Sequence, residues 1–294
     1  MALVRCACID IGSNTTRLLV AESRAGNLHE ILGQRAFTRL GSGGRRAIPE
    51  RKVEQVAELV AAQVRMAREC GVEAIRIVAT AAIRQAPNRD AFCAAVEAAA
   101  GLPVVVLSGE DEARLAFMGA TRTLRHAPLG EIGVVDVGGG SSELVVGTMA
   151  AGVSWSASFR VGSAFLAESY LRCDPPSVDE LERVRAHIAG VFEGLEAPQP
   201  QVAYAVGGSA TSLRRVVGGE LNRATLAHGL RVVGEAPCEE VARRYELHPE
   251  RVRVLPAGML LLDEAARVLG CPLRIASGGL REGVVLEELT AVGS

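Results

Sequence analysis

A chain of 294 residues is too long for one small core and suits two domains of ordinary size. Hydrophobic residues make up 49% and charged residues 22%, a globular rather than a disordered balance, and with aromatics at 3% the core must be filled by Leu, Val, Ile and Ala. The formal charge of −2 excludes a general affinity for nucleic acid or an anionic membrane, so a polyanionic partner would need a local basic patch. Lys52 is the only lysine, and Arg carries nearly all the positive charge. Seven cysteines without a C-x-x-C pair, and no His cluster at metal-ligand spacing, predict free thiols in a reducing, cytoplasmic compartment. Arg5 and Asp10 interrupt the first apolar run, which excludes a signal-peptide design, and no stretch reaches 18 uncharged apolar residues, so no membrane span is expected.

In chain order, Leu3 to Ile9 is an apolar run closed by Asp10-Ile11-Gly12-Ser13-Asn14-Thr15. Cys6 and Cys8 share one face of this strand and read as core. Strand patterns resume at Arg17 to Ala21 and Asn27 to Phe37, which makes the first pair a hairpin with a functional tip. A basic Gly-rich loop, Gly41 to Arg46, precedes helical periodicity over Pro49 to Cys70. A strand follows at Ala74 to Ala79, a helix at Asn88 to Ala100, a strand at Pro103 to Leu107 and a helix at Glu110 to Leu124.

The order then restarts. Ile132 to Val135 is a strand closed by Asp136-Val137-Gly138-Gly139-Gly140-Ser141-Ser142-Glu143. Strands at Leu144 to Gly147 and Ser154 to Arg160 precede helices at Ser163 to Arg172 and Val178 to Leu195. Val202 to Val206 is a strand ending at Gly207-Gly208-Ser209, with a helix after it. Pro256 to Leu269 reads as a helix, Leu273 to Ala276 as a strand and Leu280 to Leu289 as a closing helix. A strand–Asp–x–Gly hairpin therefore opens each half, at Asp10 and at Asp136. The pattern predicts two similar α/β domains, 1–125 and 126–294, with a cleft between them.

A phosphate site needs backbone N–H groups converging on one point, and unhindered glycines allow it. Gly138-Gly139-Gly140-Ser141 supplies such a turn, and Ser13-Asn14-Thr15 after Gly12 a second. Neither is a P-loop, since no Lys follows the glycines, and neither matches the dinucleotide pattern. A carboxylate beside a phosphate cradle would repel the ligand unless a cation lay between them. Mg²⁺ suits this role, with Asp136, Glu143 and Asp10 as candidate carboxylates; a turn-stabilising Asp is the alternative for each strand end. Gly207-Gly208-Ser209, Ser277-Gly278-Gly279 and Gly162-Ser163 repeat the strand-to-Gly design, which fits either anion binding or close strand–helix packing.

These segments resemble the exopolyphosphatase/guanosine-pentaphosphate phosphatase family, within the actin–Hsp70–sugar-kinase superfamily. The matching stretches are 9–17, 79–88, 108–115, Asp136 to Glu143, Arg160 to Gly162, Gly207 to Thr211 and 277–283, which occur in family order over nearly the whole chain. The resemblance implies two actin-like (ribonuclease H-like) domains with the active site in the interdomain cleft. It also implies hydrolysis of the terminal phosphoanhydride of inorganic polyphosphate or of the 5′-phosphate of pppGpp, with Mg²⁺ or, in its place, Mn²⁺. Glu112 falls on the family's catalytic glutamate and Arg84 on its phosphate-contacting arginine. On the residues alone, Glu110, Asp111 and Glu112 read as acids favouring a helix N-terminus. Ser13, Asn14, Thr15, Gly138, Gly139, Gly140, Ser141, Gly208 and Ser209 are the expected phosphate contacts. Arg17, Arg160 and Arg281 are weaker candidates, and Arg114 reads as structural. A homodimer is a family expectation.

The chain ends at Ser294, where many family members continue into an HD-like helical domain, so the resemblance is to the short, two-domain form and high processivity on long polymers is not expected. Two rival readings stand beside it. The paired Asp–Gly hairpins fit ATP equally well, as in a kinase or ATPase of the same superfamily, although no acceptor motif is visible. A non-catalytic polyphosphate- or nucleotide-binding regulator is the other, and intact acids at every matched position argue against it.

Overall fold

The computed structural model describes residues 4–24, 26–41, 46–126 and 128–292. The chain forms two compact units, one of residues 1–123 with 278–294 and one of residues 124–277. The first boundary, after residue 123, lies two residues before the one read from the sequence. The second corrects the expectation that the whole of 126–294 forms one domain, because the last helix returns to the first unit.

In the first unit, β1 (Arg5–Ile11), β2 (Thr15–Arg24) and β3 (Asn27–Phe37) form an antiparallel meander. Next come α1 (Glu50–Glu69), β4 (Ala74–Ala79), the single turn α2 (Ala81–Arg84), α3 (Arg89–Ala100), β5 (Val104–Val106) and α4 (Gly109–Arg122). β4 joins β1 in parallel and β5 joins β4, giving the order β3-β2-β1-β4-β5. Strand alternation sends Ala7, Ile9 and Ile11 to the core under α1 and α3, and Cys6 and Cys8 to the opposite face. Both cysteines are fully buried free thiols, as core residues should be.

The second unit repeats this plan. β6 (Ile132–Val137), β7 (Ser142–Thr148) and β8 (Gly152–Phe159) form the meander, followed by α5 (Ser163–Tyr170), α6 (Val178–Phe192), β9 (Val202–Val206), α7 (Gly207–Val217) and β10 (Glu220–Leu221). Then come α8 (Arg223–Gly234), α9 (Cys238–Tyr245), α10 (Pro249–Leu269) and β11 (Leu273–Ile275). The sheet order is β10-β11-β9-β6-β7-β8, with β9 parallel to β6 and β11 parallel to β9. Without β10 this is the order of the first sheet, strand for strand.

α10 begins at Pro249 rather than Pro256. Proline is favoured in the first helical turn, which places a sequence-based start at Pro256, but here that ring sits buried inside the helix and Pro249 takes the N-terminal place. The final helix, α11 (Leu280–Val292), packs on α4 and on the Cys6/Cys8 face of the first sheet, with Val284 and Val285 in its core. Small residues permit the approach: a Cβ on Gly119 would stand 2.7 Å from the Gly283 amide nitrogen and 2.8 Å from the Gly279 carbonyl carbon. Arg76 pairs with Glu287 at 2.7 Å and Glu288 at 2.9 Å, and Arg114 pairs with Glu287, so Arg114 is structural as expected. No described helix is long and apolar enough to cross a membrane.

Candidate active site

The hairpin tips of the two units are built alike. Gly12 N donates to Thr15 O at 3.0 Å, and Gly138 N donates to Ser141 O at the same distance. A side chain on either glycine would press on that carbonyl at 3.1 Å, so the tight turn explains both. Behind each tip, the segment that follows the third strand of the meander binds the loop carbonyls. Leu40 N donates to Ser13 O at 2.8 Å, and the amides of Thr38 and Arg39 both donate to Asn14 O at 3.1 Å. In the second unit Ser163 N donates to Gly138 O at 2.9 Å, and the amides of Ala164 and Phe165 both donate to Gly139 O at 3.0 Å. In a planar trans peptide, fixing C=O one way turns the next N–H the opposite way. The N–H groups of Asn14 and Thr15, and of Gly139 and Gly140, are therefore aimed away from their backing segments. Two converging amides of this kind make an anion cradle.

The hairpins differ in the charge set beside the tip. Asp10 lies directly across the ladder from Arg17, and Asp136 directly across from Glu143, so each pair shares one face of its sheet. In the first unit the ladder continues to Arg35, opposite Arg17 on β3. Burial pushes the Asp10 carboxyl up, and the guanidinium groups of Arg281 and Arg17 oppose that rise. Burial likewise disfavours the charged form of Arg17, and the cations Arg281 and Arg35 add to this. Asp10 Oδ1 is buried without a hydrogen-bond partner. Asp10 thus sits in a positive surrounding, whereas Asp136 and Glu143 are two carboxylates side by side.

Glu143 is 3% exposed and its Oε1 accepts from the Ser158 hydroxyl at 3.0 Å. Gly207, with φ of +84°, carries the start of α7 so close to Asp136 that any side chain there would strike Oδ1. No group of three or more His, Cys, Asp or Glu able to hold a metal occurs among the described residues. Mg²⁺ does not require one, since it binds through one or two carboxylates with water and phosphate oxygens completing its shell. The paired hard oxygen donors of Asp136 and Glu143 fit that ion.

Glu112 and Arg84 are in direct contact. Arg84 reaches from the end of α2, where its Nη1 donates to Glu112 Oε1 and, at 2.6 Å, to Leu107 O. The buried Ala81, Ala82 and Ile83 anchor this short turn. Glu112 lies in the first turn of α4, whose N-cap Ser108 accepts from Asp111 N at 3.0 Å. The three acids there separate cleanly: Glu112 is 6% exposed, Glu110 is exposed, and Asp111 accepts a hydrogen bond from the Ser108 hydroxyl at 2.7 Å. Only Glu112 is turned inward against an arginine.

Among the other expected contacts, Ser13 and Ser141 are buried at 6% and 4% exposure, and Gly140 is buried. Asn14, Thr15, Gly138, Gly139 and Gly208 are partly exposed at their turns. Ser209 Oγ is buried without a hydrogen-bond partner and faces Gly258 of α10, so its side chain serves the α7–α10 packing rather than the turn surface. Arg160 is exposed, and of the Gly41 to Arg46 loop residues 42–45 lie outside the described residues. Two arginines escaped sequence reading. Arg35 emerges only from the β2–β3 register, and Arg251, 7% exposed, packs its guanidinium on Gly208, 2.5 Å from where a Cβ would lie. Arg251 stands in the first turns of α10, ahead of Pro256, where the sequence shows no helix start.

Residues 19–292 match the model of the Ppx/GppA phosphatase family. The chain is 32% identical over 305 residues to Exopolyphosphatase 2 of Mycobacterium tuberculosis (strain CDC 1551 / Oshkosh), covering 92% of each chain. It superposes on the crystal structure of the Aquifex aeolicus member of the Ppx/GppA family with a TM-score of 0.82 and 28% identity over the whole of both chains. An exopolyphosphatase from Cytophaga hutchinsonii gives a TM-score of 0.86 at 20% identity, over 98% of each chain, and shares the fold. With two α/β sheets of repeated order, matched hairpins and a family match over most of its length, the chain belongs to the Ppx/GppA phosphatase family, phosphoanhydride hydrolases of actin-like fold.

Proposed function

We propose that the protein is an exopolyphosphatase that removes the terminal phosphate of inorganic polyphosphate by in-line attack of water, with Glu112 as the base. The observation that carries this reading is the Arg84–Glu112 pair, a buried carboxylate held by a cation at the N-terminus of a helix. A general base must be positioned as well as basic, and Arg84 with Leu107 O fixes the pair in place. In the proposed cycle Arg84 turns its charge to the terminal phosphoryl oxygens, where negative charge develops, and Glu112 Oε accepts the proton of the attacking water. In the first unit the amides of Asn14 and Thr15, and in the second those of Gly139 and Gly140, are suited to bind phosphate oxygens. In the second unit Asp136 and Glu143 would hold Mg²⁺, which supplies neutralising charge to phosphate oxygens when bound. Asp10, balanced by Arg17 and Arg281, fixes the local charge of its loop.

The kinase reading lacks an acceptor motif, and the regulator reading leaves Glu112 without a purpose. The finer choice of substrate rests on the relatives named exopolyphosphatases; pppGpp presents the same terminal phosphoanhydride. A reducing, cytoplasmic setting is part of the proposal and is supported by seven free thiols. Phosphate release from polyphosphates of several lengths, pppGpp and ATP, each with and without Mg²⁺, tests it. Mg²⁺-dependent release from polyphosphate is expected, and release from ATP alone, dependent on an acceptor, would overturn it.

A further inference from the structure

The segments that back the two cradles are held in different ways. In the second unit the backing segment is the start of α5. Its amides are presented by a helix, Ser163 Oγ adds a bond to Gly138 O at 3.1 Å, and Gly162 lies against Gly139 and Gly140. In the first unit Thr38 to Leu40 does the same work without a helix. Arg39 there takes a left-handed conformation, φ of +47°, which a non-glycine residue adopts at a cost. Something must hold this strap in register. Thr38 Oγ1 meets Thr16 Oγ1 at 3.4 Å, at the limit of a hydrogen bond, and the stronger tie is Lys52 Nζ, which donates to Thr38 O at 2.7 Å from the first turn of α1.

We propose that Lys52, the only lysine in the chain, is the positioning residue for the first phosphate cradle: its ammonium holds the 38–40 strap, which orients the Asn14 and Thr15 amides. The role is not a phosphate contact. A charge-assisted bond to a carbonyl is stronger than a neutral one, and here it fixes the Thr38–Arg39 peptide, whose own N–H and that of the peptide before it donate to Asn14 O. The second hydrogen bond of Lys52, to Gln55 Oε1 at 3.3 Å, steers the ammonium but touches nothing in the cradle. This inference rests on the phosphatase reading for its kinetic consequence but not for its structural one.

Three variants test it: Lys52→Met, Lys52→Arg and Gln55→Ala. Hydrogen exchange of the Thr38, Arg39 and Leu40 amides should accelerate in Lys52→Met, while the amides of Ser163 to Phe165 stay as in wild type. For tripolyphosphate hydrolysis KM should rise about tenfold, with kcat within about threefold, because cradle geometry rather than the base is disturbed. Lys52→Arg, which can still donate to Thr38 O, should restore KM to within about twofold, and Gln55→Ala should match wild type. Unchanged exchange at residues 38–40 in Lys52→Met overturns the proposal. So does a variant whose exchange rises across the whole chain, or one in which arginine fails to rescue. If the wild-type protein releases no phosphate, the phosphatase reading fails, and the exchange data still decide the role of Lys52.

Discussion

Gly162→Ala probes the second cradle without touching a charge. Gly162 has φ of −142° and ψ of 171°, an extended backbone open to any residue, so alanine brings no conformational strain. Its methyl group would instead lie 2.5 Å from the carbonyl carbon and oxygen of Gly139 and 2.6 Å from the Gly140 nitrogen. Carbon atoms rest at about 3.5–4.0 Å, so the loop or the start of α5 must give way by about 1 Å. Overpacking of this kind costs about 1–3 kcal/mol of stability, and misplacing a substrate-binding group by about 1 Å can lower turnover about a hundredfold. The assay is phosphate release from tripolyphosphate with Mg²⁺, alongside thermal unfolding. A folded variant with wild-type kcat/KM would show that the Gly139 and Gly140 amides do not bind the substrate, and would refute their assignment as a cradle.

Gly190, exposed in the last turn of α6, has open space around its α-carbon; Gly190→Ala should stabilise the protein by about 0.5 kcal/mol in denaturant melts and leave phosphate release unchanged. Glu180, 3% exposed, caps the start of α6: burial alone would raise its pKa, but the amides of Ser177, Arg172 and Cys173 donate to it and hold it at about 2. Because the folded pKa lies below the ordinary carboxylate value, its stabilisation is full above about pH 4.5 and is lost as the pH falls toward 2. Glu180→Gln should destabilise by about 2 kcal/mol at pH 7, with the gap to wild type closing across that window in pH-dependent melts.

Much of the architecture was legible because the hairpins announce themselves. An apolar strand, an Asp and a Gly-containing turn recur at Asp10 and Asp136, and the two sheets share one strand order. What the sequence hid follows from non-local packing. The return of α11 to the first unit depends on the small surfaces of Gly119 and Gly283, which carry no periodicity of their own. α8 is hard to see in the sequence because its capping box uses Asn222 and Thr225 rather than a Ser or Thr followed by Glu, and the two-residue β10 is too short to show alternation. Pro256 disguised the first turns of α10 and with them Arg251.

The site divides in the same way. Glycines at the turns are visible from spacing, whereas Glu112 stands apart from its two acidic neighbours in the sequence only through family resemblance; burial is what separates it from Glu110 and Asp111. The seven-residue offset from Asp136 to Glu143 and from Asp10 to Arg17 is visible in the sequence, yet its meaning needs the ladder register, which makes each pair cross-strand neighbours. Lys52 offered no signal beyond being alone.

The most direct test of the catalytic assignment is Glu112→Gln, which keeps the shape of the side chain and removes its basicity. Tripolyphosphate binding by calorimetry should remain close to wild type, while Mg²⁺-dependent phosphate release falls by a factor of about 10²–10⁴. Wild-type turnover in a folded Glu112→Gln protein would contradict the assignment of Glu112 as the base.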